Sequence, residues 1–154
     1  FKMKVTNLKL LATSDKDLRV IAAHLQDSIV LPKDVANLKK NRIFLIQLNR
    51  FMWEDVERGV FRKNKRIRTV LKFDNVISVL SKNINMKDNK NFLDFLTIES
   101  NLLPDKSYEI KLIFSGDAII KVTAEVIDVT LDDQGSPWES KTAPKHNFYN
   151  AQTD

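Results

Sequence analysis

The residues with the most chemical potential gather in Asn49-Arg50-Phe51-Met52-Trp53-Glu54 and in the basic run that follows. An arginine beside an amide, two aromatic rings and a carboxylate can hold an anion, stack on a planar group or anchor a partner protein. The rings serve equally well as core, and core is the favoured reading. Arg58, Arg62, Lys63, Lys65, Arg66 and Arg68 then crowd into one short segment, a density of cations that suits phosphate contact. The ordinary reading of such a run is a solvated loop, so nucleic-acid binding through residues 58–68 stands as an alternative.

Other reactive constellations are absent. The two histidines, His24 and His146, have no metal-ligand spacing, and without cysteine there is no thiolate site or disulfide. Three scattered glycines build no phosphate loop, and no serine sits in a nucleophile elbow. Asp132 and Asp133 adjoin in sequence and point apart on a helix, a poor carboxylate pair. No cofactor and no metal are expected. An enzyme would need a concave site joining His24, Asp27 and Arg50.

Length and composition bound the rest. The chain of 154 residues, 43% hydrophobic and 29% charged, suits one soluble globular domain. No apolar run reaches the roughly 20 residues of a membrane span, and the first residues lack a signal peptide's apolar core. A cytoplasmic location is expected, with no membrane partner. The net charge of +5 invites a nucleic-acid partner, but 18 of the 25 basic residues are lysine. The chain is also rich in Asn and Ile, and all three residues have A/T-rich codons. Genome bias would produce this balance without a polyanion partner.

These residues need elements to position them. Residues 42–48 read as a central strand covered on both sides, with Phe44, Ile46 and Leu48 on one face and Ile43 and Leu45 on the other. Continued alternation puts Arg50 on the Phe44 face, and Asn49 and Phe51 on the other. Upstream, residues 8–12 predict a strand. Thr13 or Ser14 caps a helix over 15–26, with Asp17 completing a capping-box-like start if Ser14 is the cap, and its apolar face is Leu18, Ile21, Ala22 and Leu25. A strand near 28–31 and a hairpin of 35–39 with 42–48 follow. Downstream, strands are expected at 69–73, 76–80, 92–99, 108–114 and 119–123, the last two joined at Gly116-Asp117. From residue 125 the spacing of Ile127, Leu131 and Gln134 approaches a helix ending at Gly135 and Pro137, although β-branched Val126, Ile127, Val129 and Thr130 favour strand. The compromise is strand first, then helix.

The expected fold is α+β: a mainly antiparallel curled sheet of about eight strands with one helix near each end, loosely a pleckstrin-homology-like roll. Residues 1–135 form one domain. Residues 136–154 form a tail packed on it or on a neighbour through Trp138, Phe148 and Tyr149. If the strands flanking the basic loop pair as a hairpin, Phe51 and Thr69 lie at the joined end and Asp74 at the far end. Arg50 then turns to Asp27, Glu54 or water, and is expected to reach solvent, available to a partner.

Several short segments occur in a fixed order: Leu8-Lys9-Leu10-Leu11, Ala23-His24-Leu25-Gln26-Asp27, Leu48-Asn49-Arg50-Phe51-Met52-Trp53-Glu54 and Phe73-Asp74-Asn75-Val76. With the Phe114-Ser115-Gly116 turn and Trp138 before Pro144 and His146, the chain resembles an uncharacterised alphaproteobacterial family, domain of unknown function 2948. The resemblance implies a small cytoplasmic bacterial protein and no particular reaction. Its shared motif positions fall here on His24, Gln26, Asp27, Asn49, Arg50, Trp53 and Asp74. The leading expectation is a non-catalytic module for another protein or a small ligand, sited at His24, Asp27, Asn49, Arg50, Trp53 and Asp74. Homo-oligomerisation stays open.

Overall fold

A computed structural model describes residues 7–53 and 65–139. The strands are β1 (Lys9–Ala12), β2 (Ile29–Val30), β3 (Val35–Leu38), β4 (Ile43–Phe51), β5 (Lys65–Phe73), β6 (Val76–Lys82), β7 (Leu93–Leu102), β8 (Tyr108–Phe114), β9 (Ile119–Ala124) and β10 (Val129–Glu139). They form one open sheet, ordered β1-β10-β5-β4-β2-β7-β8-β9-β6, with β3 added on β4. Each pairing is antiparallel. One buried cluster holds Phe44, Ile46 and Leu48 of β4, Leu71 and Phe73 of β5, Ile110 and Leu112 of β8, and Ile120 and Val122 of β9. Residues from distant strands share that core, so the sheet curls around it.

Helix α1 (Asp15–Leu25) packs on β1, β4 and β7 and fills the hollow of the curl with Leu18, Ile21, Ala22 and Leu25. The expected start is present: Ser14 Oγ accepts the Asp17 N–H at 3.2 Å, and Asp17 Oδ2 accepts the Thr13 N–H at 3.0 Å. The first bond satisfies an amide that the first helical turn leaves without a partner, and the second ties the residue before the cap back to that turn. At the other end the chain leaves the helix at Gln26 and turns through Asp27, whose φ is +63°. A short polar side chain tolerates that left-handed conformation.

Strand β4 is central, as its sequence implies, because β5 flanks it on one side and β2 and β3 on the other. Among the described residues, full cover on both faces is not found. Phe44, Ile46, Leu48 and Arg50 are buried on the inner face, whereas Gln47 on the outer face is exposed and Asn49 half-buried. The β4–β5 hairpin forms with Phe51 opposite Arg66, so β5 begins at Lys65 and not at Thr69.

The expected C-terminal helix is corrected. Residues 129–139 are β10, paired with β1 and β5. Its β-branched residues fit a pleated surface, and Val129, Leu131 and Asp133 alternate inward with the register of β5. A helix near each end was part of the roll-like expectation. With a strand in that position, the likeness to pleckstrin-homology domains has no support. Residues 136–139, assigned in sequence to a tail, belong to β10, and Trp138 pairs with Arg66 beyond a bulge at Gly135. Phe148 and Tyr149 lie outside the described residues.

Candidate functional site

The motif around Arg50 sends its side chains to opposite faces of β4. On the inner face Arg50 is fully buried. Its Nε donates to Asp133 Oδ1 at 2.8 Å and its Nη2 to Asp133 Oδ2 at 2.7 Å. The register explains the contact. Arg50 stands opposite Ile67, and Asp133 stands opposite Thr69 one row along the same inner face, so a long side chain crosses β5 to meet the carboxylate. Asp133 Oδ2 also accepts the Leu8 N–H at 2.8 Å, and the Asp133 N–H donates to Leu8 O at 3.0 Å. A bidentate charge-assisted pair thus ties β4 and β10, and the same carboxylate holds the entry to β1. The expectation of a solvent-reaching Arg50 is overturned. A guanidinium at the end of a core face needs a charge there, and a carboxylate at the same level supplies it.

The outer face is built differently. Arg66 Nη1 donates to Asn49 O at 3.1 Å and to Asp27 O at 3.2 Å, with its guanidinium 5.9 Å from the Phe51 ring centroid. Trp53 meets the Phe51 ring edge-on at 4.7 Å and donates from Nε1 to Gln26 O at 2.8 Å. The Asp27 N–H donates to Phe95 O at 3.0 Å. These bonds clamp the turn after α1 onto the ends of β4 and β7. Trp53 and Phe51 are packing residues here, and the cation beside the ring is Arg66, not Arg50.

Beyond the clamp, Arg68, Asn49 and Ile29 stand side by side across β5, β4 and β2. With Gln47, Leu31, Asp34 and Phe92 they line a cavity of about 200 Å³. The side chains of Asp34, Gln47, Asn49 and Arg68 make no hydrogen bond or ion pair among the described residues. Asp94 follows Ile29 in the same row on β7. Burial pushes its carboxyl pKa up, and the nearby Arg66 charge opposes the shift. A wider hollow of about 380 Å³ lies between α1 and β7, lined by Arg19, Ala22, Ala23, Gln26, Leu96 and Thr97. Its charged member, Arg19, is already paired with Asp15 at 3.0 Å.

The remaining sequence candidates disperse. His24 sits at the end of α1 with Nδ1 at 3.0 Å from Val20 O of its own helix. Asp74 is at the far end of the β4–β5 hairpin, its N–H bonded to Asp128 O and its carboxylate 3.7 Å from Lys72. Neither of the two cavities described above is lined by His24, Asp27 or Arg50. Arg58, Arg62 and Lys63 lie outside the described residues. Of the rest of the basic run, Arg66 is buried in the clamp and Arg68 is exposed at the cavity. Asp34, Gln47, Ile29, Leu31 and Phe92 were missed as a group, although period-2 counting from Asn49 does put Gln47 on its face. Asp133 was missed because its segment was read as a helix.

The geometry defines an α+β domain in which a curled antiparallel sheet presents a small polar cavity on its outer face. The chain belongs to the family described as protein of unknown function (DUF2948), whose model matches residues 8–146. No curated protein matches the chain. No solved structure matches it either. Among the described residues no three His, Asp or Glu side chains gather as metal ligands, and no helix is long and apolar enough to cross a membrane.

Proposed function

We propose that this protein is a non-catalytic binding module for a small ligand, which docks in the outer-face cavity bounded by Asn49, Gln47, Arg68 and Asp34. The observation that carries the reading is the concentration there of four polar side chains without partners among the described residues, beside the apolar Ile29, Leu31 and Phe92. Apolar walls with a few convergent polar groups are the usual make-up of a ligand site. The ionisable groups of the cavity are an arginine and an aspartate, which suit holding charge more than relaying protons. The cavity is also cross-braced: the Arg66 clamp and the Arg50–Asp133 pair fix the strands that line it, which lowers the ordering cost of binding.

The test is a titration of the whole chain with a panel of small charged and polar compounds, followed by amide chemical shifts. Shifts are expected to cluster on residues 29–34, 47–49 and 68, and Arg68→Gln should weaken the response. A panel that leaves these amides unmoved, or moves amides elsewhere, removes the proposal.

A further inference from the structure

We infer that the outer-face cavity takes a free α-amino acid with an apolar side chain, its carboxylate on Arg68 and its ammonium on Asp34; this rests on the small-ligand reading above. The argument begins with charge. Arg68 and Asp34 line the same cavity, yet their charged atoms form no ion pair. The register shows why. Arg68 lies opposite Asn49 on the β5 side of β4, whereas Asp34 precedes β3, whose Val35 lies opposite Ile46 on the other side of β4. The two backbones are separated by two strand spacings, about 10 Å. A simple anion would sit well on Arg68 but face Asp34 across a confined space, and a simple cation would meet the reverse problem. A ligand carrying both charges satisfies both residues.

The other lining groups fit the same ligand. The Asn49 and Gln47 amides stand between the two charges, with donors for a carboxylate and acceptors for an ammonium. Ile29, Leu31 and Phe92 supply an apolar wall for a hydrocarbon side chain. A cavity of about 200 Å³ is smaller than those that enclose drug-sized molecules, which favours a single amino acid over a peptide segment.

Calorimetric titration of the full chain tests this with four probes: L-leucine, 4-methylpentanoate, 3-methylbutylamine and inorganic phosphate. Leucine should bind more tightly than 4-methylpentanoate or the amine by on the order of tenfold, the size of one charge-assisted hydrogen bond. Asp34→Asn should remove the advantage of leucine over 4-methylpentanoate, and Arg68→Gln its advantage over the amine. Asp34 is half-buried and Arg68 exposed, so both variants should fold. If 4-methylpentanoate or phosphate binds through Arg68 as tightly as leucine, the amino-acid inference fails and the small-ligand reading stands. If no probe binds, the amino-acid inference fails; the wider compound panel then judges the small-ligand reading separately.

Discussion

Arg50 and Arg68 lie on neighbouring strands and face opposite sides of one sheet. Arg50 is fully buried and held at two points by Asp133, while Arg68 is exposed beside a cavity and unpaired among the described residues. The residue type is the same, so its environment divides the roles. A charge removed from water must be matched inside the protein, and once matched it fixes strands in place. A charge left at a cavity rim keeps its donors for something that arrives from outside.

The largest expected effect tests the inner half of that contrast. Arg50→Ala should cost roughly 3–5 kcal/mol of folding stability, because it strands the Asp133 carboxylate in the core. Asp133→Ala should cost as much, since it also deprives the Leu8 N–H of its acceptor. The double replacement Arg50→Met with Asp133→Leu should recover part of the loss, as apolar residues often replace a buried pair without penalty, while the Leu8 N–H stays without its acceptor. By contrast Arg68→Gln should change stability by less than about 0.5 kcal/mol. Denaturant unfolding of the four variants measures this. Similar costs for Arg50→Ala and Arg68→Gln would erase the distinction between the faces.

How much of this was legible in the sequence follows from the same residues. The faces of β4 were readable, because period-2 alternation is local: Arg50 with Phe44, and Asn49 with Phe51. So were the start of α1, placed at Thr13 or Ser14, and the Gly116-Asp117 turn, where both φ values are positive. The partner of Arg50 was not found, although the signal was present. Val129, Leu131 and Asp133 alternate, and read as a strand they place Asp133 on the core face. The competing Ile127, Leu131 and Gln134 spacing led to a helix, and on a helix Asp133 had no partner to meet. The cavity was harder to see. Asp34, Asn49, Arg68 and Phe92 come from four separate segments, and only the register between strands brings them together. A local pattern gives the face a residue takes, but which strands become neighbours is settled only by pairing across the sheet.

A middle-sized effect belongs to the clamp that ties the turn after α1 to the outer face. Trp53→Phe keeps most of the ring packing on Phe51 but loses the Nε1 bond to Gln26 O. A loss of about 1 kcal/mol is expected, the net worth of one hydrogen bond. Hydrogen exchange should show faster opening at residues 26–30 and little change at the β8–β9 hairpin. Uniform loosening of both regions would mean that the clamp is not a local device.

The smallest effect concerns Asp94, at the boundary between clamp and cavity. Burial raises its pKa above the ordinary 3.8, against the pull of Arg66. For an acid shifted upward, the folded state favours the neutral form. The associated stability is therefore fully present below the unfolded pKa and declines as pH rises through the folded value, staying reduced above it. Asp94→Asn is neutral at every pH and should escape that decline. Relative to the natural chain, its melting temperature should rise as pH climbs out of the acid range and hold a constant small advantage near neutrality. The half-exposed carboxyl keeps this gain modest. If Asp94→Asn is instead less stable at neutral pH, with the gap closing in acid, then the Arg66 charge outweighs burial. Asp94 would then belong with Asp133 as an acid that serves the fold by matching an arginine.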